Sequence, residues 1–193
     1  MVGSTAEEYG PRGDAARHLA LPALEEGLRS LSAPTDRGRV VRIVARRADG
    51  VRETPARVLL SPEEGVPGDR WRRATPERPE VQLAVMRADV AELIANGQPI
   101  THAGDNLFVE LDLSTANLPP GSRLRVGAAV VEVTPEPHDG CHKFRGRFGA
   151  DALRFVSMKS LRALNLRGIY WMVIEAGEVG VGDPIEVLCR LAP

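Results

Sequence analysis

Between residues 137 and 149 the chain reads PHDGCHKFRGRFG. This places Cys141, one of only two cysteines, between His138 and His142 and just ahead of Lys143, Arg145 and Arg147. Cationic neighbours favour the thiolate, the form in which cysteine acts as nucleophile and as metal ligand. The same cations suit a bound phosphate, to which arginine offers paired hydrogen bonds. On these residues alone three readings of Cys141 stay open: a reactive thiolate, a metal ligand, or a small apolar residue in a loop. Two histidines and a cysteine match zinc ligands in type, but their spacing is poor and no fourth ligand is evident, which disfavours zinc. Cys189 falls in the strand-like IEVLCR (185–190) and reads as a packing residue. Two cysteines without a CxxC pair provide no disulfide framework.

Two further polar stretches interrupt apolar runs, GDRW (68–71) and THAGDN (101–106). Loops held by a rigid scaffold commonly carry function, although Gly-Asp pairs are first of all turn formers. The first stretch adds Arg70, with Arg72 close behind, to the cations available for an anionic ligand.

The elements that must position these loops are mostly strands. RVVRIVARR (39–47), PARVLLSPEEG (55–65) and VQLAVMR (81–87) are apolar or β-branched runs bounded by Gly, Pro and turn residues. The shorter NLFVEL (106–111), RLRVG (123–127) and AVVEVT (129–134) follow, and RGIYWMVIEAG (167–177) and DPIEVLCR (183–190) complete the set. ADVAELIANG (88–97) has the spacing of a helix that stops at Gly97. FGADALRFV and SMKSLRALN, within roughly 142–163, read as further helical pieces. Leucines at 19, 21, 24, 28 and 31 predict a short amphipathic helix within 14–31, with Pro22 in a first turn or between two pieces. Residues 1–13 read as a disordered lead-in. Seven or eight short strands with few helices predict a mainly β, barrel-like domain of the α+β class from residue 39 to 193, preceded by a tail and helical appendage over 1–38.

Composition narrows the function classes. The 193 residues suffice for one well-buried core. Aromatic residues make up only 4%, so that core must be built from Val, Leu, Ile and Ala. A net charge of −1 argues against generic nucleic-acid binding. There is no apolar run of membrane-spanning length and no signal-peptide pattern at the N-terminus, so a soluble cytoplasmic protein is expected.

The ordered set PGDRW, VQLAVM, AGDNLFVEL, LPPGSRLRVGAAVVEVTPEPHDGCHKF and LRGIYWMVIEAGEVGVGDPIEV resembles the MOSC family, named for the C-terminal domain of molybdenum cofactor sulfurases. The likeness runs over about residues 39–189. It implies a MOSC-type β-barrel with a few flanking helices and a cleft in which the family cysteine faces a molybdenum–molybdopterin cofactor. Cys141 matches that cysteine, Asn106 the Asn of the GxNL motif, and Gly68 and Asp69 the Gly-Asp loop. Asp105 stands where the family usually has Glu or Arg, and Trp71 where longer bacterial members often have His.

By this resemblance Cys141 would ligate molybdenum, while the Asn106 carboxamide would orient a ligand or substrate. Arg70, Arg72, Lys143, Arg145 and Arg147 are candidates for the cofactor phosphate on charge and position. His138 or His142 would deliver a proton. The implied activity is reduction of a small N-hydroxylated substrate, with electrons from a separate donor protein. The alternatives are a sulfur carrier holding a Cys141 persulfide, or a cofactor-delivery protein. In sulfurases a pyridoxal-phosphate domain generates the sulfur, and here it would have to be a separate partner. The N-terminal helix is left as a homodimer contact or a lid.

Overall fold

The computed structural model describes residues 10–48 and 50–191, so the greater part of the expected disordered lead-in lies outside the described residues. Strands β1 (Arg37–Ile43), β5 (Leu83–Arg87), β6 (Leu107–Glu110), β7 (Arg123–Val126), β8 (Ala129–Val133), β9 (Ile169–Glu175) and β11 (Pro184–Cys189) close a barrel. The order around it is β1-β11-β7-β8-β9-β5-β6, and β6 returns to β1. Only β5 and β6 run parallel, and helix α3 (Ala88–Ala95) supplies the crossover such a pair needs. Two short ribbons lie outside the barrel: β2 (Ala45–Arg46) with β3 (Arg52–Glu53), and β4 (Arg57–Leu60) with β10 (Gly177–Gly180); between β4 and β5 lies the single helical turn α2 (Trp71–Ala74).

Side-chain alternation explains the closure. In β8 and β9 every second residue is buried, so Val131, Val133 and Trp171 point into the barrel. With Val85, Leu107, Val109, Leu124, Val126 and Ile185 they form an interior that is almost wholly aliphatic apart from Trp171. Strand β5 is buried along its whole length because its outer face is also covered.

That outer cover is a second apolar cluster formed by α1 (Leu21–Arg29), α3, α4 (His142–Phe148) and α5 (Ala150–Val156). All four phenylalanines of the chain, Phe108, Phe144, Phe148 and Phe155, sit in it. The few aromatics are thus concentrated where helices meet the barrel wall, and they fix the helix that begins just after Cys141. Phe144 and Phe148, one turn apart, pack with tilted rings 5.0 Å apart.

Several boundaries differ from the sequence reading. RVVRIVARR is two strands, broken at Val44, whose N–H turns to the Asn106 carbonyl at 2.7 Å. The N-terminal helix is a 3-10 turn (Ala15–Arg17) followed by α1, with Pro22 in the first turn of the latter. Asn96, in the left-handed conformation, caps α3 one residue before Gly97. Cys189 is exposed rather than packed, since it lies where β11 slips register against β7 at its end.

Candidate functional site

Cys141 stands exposed at the N-cap of α4, and its side chain makes no capping bond. The helix places the residues that follow by its 3.6-residue period. Phe144, Arg147 and Phe148 face inward, whereas His142 and Arg145 face solvent and Lys143 is half-buried. Of the three cations after Cys141, only Arg147 is therefore turned into the fold. Its Nε donates to the Pro11 carbonyl at 3.1 Å and its Nη1 to the His102 carbonyl at 2.8 Å.

Arg70 approaches from the GDRW loop. Desolvation lowers its pKa first and the Arg46 charge adds to that, while Asp69, Tyr170 and a thiolate at Cys141 pull the other way. Arg147 is likewise lowered by burial, and a thiolate at Cys141 is the largest influence opposing that. A thiolate at Cys141 would thus favour the charged form of both guanidiniums. Arg72 points elsewhere, 3.7 Å from Glu64 across the surface.

The Gly-Asp loop performs a different task. Asp69 is buried and accepts from the Arg46 backbone N–H (2.7 Å), Arg46 Nε (2.9 Å), Arg46 Nη2 (2.7 Å), the Trp71 N–H (2.9 Å) and Asn106 Nδ2 (3.0 Å). Burial raises its pKa, but the Arg46 hydrogen bonds and charge outweigh that and hold the carboxyl below its usual range. Gly68 takes φ +71°, the left-handed conformation that favours glycine. Asn106 is fully buried: its Oδ1 accepts from the Ala84 N–H and its Nδ2 donates to Val44 O and Asp69. Gly68, Asp69 and Asn106 therefore belong to the frame that holds the GDRW loop against the barrel. The Asn106 carboxamide faces the fold interior, so the structure does not present it to a ligand.

A second buried tie lies behind the Cys141 loop. Arg167 donates from Nη1 to both Asp105 oxygens, at 3.0 and 2.8 Å, and from Nη2 to the Ala103 carbonyl. Its guanidinium lies 4.9 Å from the centre of the Phe144 ring. Burial raises the Asp105 pKa, against the charge and hydrogen bonds of Arg167. His138 stacks on Tyr170 at 4.3 Å, and its Nδ1 is 3.6 Å from Asp105, too far for a hydrogen bond. Its side chain is 6% exposed, and desolvation first, then Arg167 and Arg46, push its pKa well down, so the ring is neutral at neutral pH. His142, by contrast, is open to solvent. Trp71 is buried and spends its Nε1 on the Arg78 carbonyl at 3.0 Å.

Beside the Cys141 loop opens a cavity of about 580 Å³, bordered by His138, Asp139, Val156, Lys159, Arg162 and Arg167. Among the described residues no three His, Cys, Asp or Glu side chains converge as metal ligands. No described helix is long and apolar enough to cross a membrane. Sequence reasoning missed Arg46, Arg52, Arg167 and Tyr170. The first two flank the ADG turn, and the latter two bracket Gly168 in RGIY, so turn neighbours were the available signal.

The MOSC domain profile matches residues 69–186. Among solved structures, the YuaD protein of Bacillus subtilis shares 22% identity over 78% of this chain and 95% of its own, with a TM-score of 0.58. YiiM from Escherichia coli shares 19% over 79% and 71%, with a TM-score of 0.52. YiiM from Geobacillus stearothermophilus shares 18% over 79% and 76%, with a TM-score of 0.55. At these identities the likeness speaks for the fold. No curated protein matches the chain.

Proposed function

We propose, from the premise that the chain belongs to the MOSC domain family, that the cleft at Cys141 binds a molybdenum–molybdopterin cofactor and reduces N-hydroxylated compounds. The observation that carries this reading is the pairing of an exposed, uncapped thiol with two cations whose charge it feels, buried Arg147 and solvent-facing Arg70. A soft thiolate suits molybdenum, and the two guanidiniums suit an anionic group attached to the same ligand. A metal at Cys141 would take one protein ligand and the rest of its coordination from the cofactor. When bound, the cofactor supplies two-electron chemistry. An N-hydroxylated substrate takes two electrons from a separate donor and two protons, the N–O bond breaks, and the amine and water leave.

The chain's own residues divide the remaining work. Arg70 and Arg147 hold negative charge beside Cys141. Asp69 and Asn106 keep the GDRW loop, and with it Arg70, fixed to the barrel end. His138, neutral and buried, gives the Cys141 loop a rigid wall. Proton delivery falls to solvent-facing His142. The cavity beside the loop has room for the body of a small substrate. A cytoplasmic setting, with a separate electron donor, belongs to the same proposal.

The exposure of Cys141 also favours a second reading, in which the thiol carries sulfur as a persulfide supplied by a separate protein. Turnover separates the two. Protein from a host that makes molybdenum cofactor is given an N-hydroxylated amine and a chemical reductant. Amine formation that disappears in Cys141→Ala supports the enzyme. Absence of amine, with cyanide-releasable sulfur on wild type alone, overturns it in favour of the carrier.

A further inference from the structure

We propose that the cavity of about 580 Å³ beside the Cys141 loop is a binding pocket for an amphipathic carboxylate, a single negative charge on an aliphatic or aromatic body. Leu118, Val133 and Ile169 belong to the barrel core and Leu166 to the helical cluster, and all four border the cavity, which thus lies where the two apolar clusters meet. One wall is the segment 135–139 that runs into Cys141. Pro135 and Pro137 fix their own φ, and His138 is held against Tyr170. Just beyond, a β-carbon on Gly140 would stand 2.4 Å from Leu153 Cδ1, so α5 packs closely on the loop. The wall is therefore anchored before any ligand arrives.

The polar groups along the floor are already engaged. Thr134 Oγ1 donates to the Glu80 carbonyl at 2.7 Å, Asn165 Nδ2 to the Leu113 carbonyl at 2.8 Å, and Arg167 to Asp105. Arg167 Nε and His138 Nδ1 have no partner, but both are sealed from solvent and do not serve the cavity. What the floor offers an occupant is apolar surface, the usual lining of a small-molecule pocket. The charge lies at the rim. Glu136 is answered there by Arg78 at 2.8 Å. Asp139 and Arg162 face each other at 3.7 Å with both side chains mostly exposed, a weak pair that an incoming carboxylate can replace. Lys159 is exposed and makes no ion pair among the described residues. Lys159 and Arg162 are three residues apart in the 3-10 helix Lys159–Leu164, whose three-residue period puts them on one face. One cation in excess, with a second loosely held on the same face, matches the two oxygens of a carboxylate. Neither Cys141, Arg70 nor Arg147 lines this pocket, so it stands apart from the thiol.

The test uses the full chain purified from a host without molybdenum cofactor, titrated by calorimetry with octanoate and with its neutral counterpart octanamide. Wild type should bind octanoate more tightly than octanamide. Lys159→Glu should weaken octanoate on the order of tenfold and leave octanamide unchanged. Ala163→Trp, at an exposed lining position, should weaken both by filling the pocket. Cys141→Ala should bind octanoate as wild type does, so the pocket and the cofactor reading fail separately. No saturable binding, equal Kd for octanoate and octanamide, or equal octanoate Kd for wild type and Lys159→Glu overturns the pocket. Unchanged binding in Ala163→Trp, or binding lost in Cys141→Ala, overturns its location. In cofactor-loaded protein turning over an N-hydroxylated amine, octanoate that raises KM alone assigns the pocket to the body of the substrate. Octanoate that changes kcat assigns it to a separate effector, and an effect on neither overturns it as a functional site.

Discussion

Two sets of arginines meet at this end of the barrel. Arg46 and Arg167 are buried and each is answered by a buried carboxylate, Asp69 and Asp105. Among the described residues Arg52, Arg70 and Arg147 make no such ion pair, and their pKa values are depressed by desolvation and by other cations, with Asp69 opposing this only for Arg52 and Arg70. A buried charge that is paired and hydrogen-bonded ties elements together; one held beside like charge is poised for an anion that arrives from outside. The same residue type thus builds the frame in one set and offers binding in the other.

The largest expected effect breaks the first set. Asp69→Ala leaves Arg46 and Asn106 without their acceptor and should cost about 3–5 kcal/mol of stability, read from denaturant unfolding. Arg70→Ala should leave the unfolding midpoint near wild type while lowering cofactor retention, which opposes the two sets directly. Next, Arg167→Met strands Asp105 in the interior and should cost about 3 kcal/mol, whereas Arg167→Met with Asp105→Leu should recover much of that loss. Acid pH gives a smaller, graded effect. His138 stays neutral in the fold, while the unfolded chain binds a proton below the ordinary value of 6.5, so stability should fall as pH drops through that value. His102 is shifted the same way, so His138→Gln should reduce the slope without abolishing it. Asp69 adds a second fall: its contribution is present above its ordinary 3.8 and is lost as pH drops below that. The smallest effect is expected for Arg72→Ala, within about 0.5 kcal/mol, because its partner Glu64 is equally exposed.

The barrel was legible because strand alternation and turn residues are local signals, and every barrel strand coincides with an apolar run. The break at Val44 was not legible, since it depends on Asn106, far along the chain. Nor were the β2–β3 ribbon and β10, whose strands are too short to carry a period, although β4 lies within the apolar run PARVLLSPEEG. Around Cys141, charge alone could not separate Arg145 from Arg147. The Phe144 and Phe148 spacing does so, by putting 147 on the packed face and 145 on the open one. Asn106 was read as a ligand-facing carboxamide because its motif named it, yet the burial that consumes its hydrogen bonds arises from three separate segments. Arg52 escaped notice because nothing nearby in sequence links it to Arg147.

The account rests on Cys141 and its unanswered cations forming a cofactor cleft. Molybdenum per chain, measured on protein purified from a host that makes molybdenum cofactor, tests that most directly. Wild type should carry metal close to one per chain, and Cys141→Ala should carry almost none while unfolding at the same denaturant concentration. Equal metal content in the two proteins, or none in either, would contradict it.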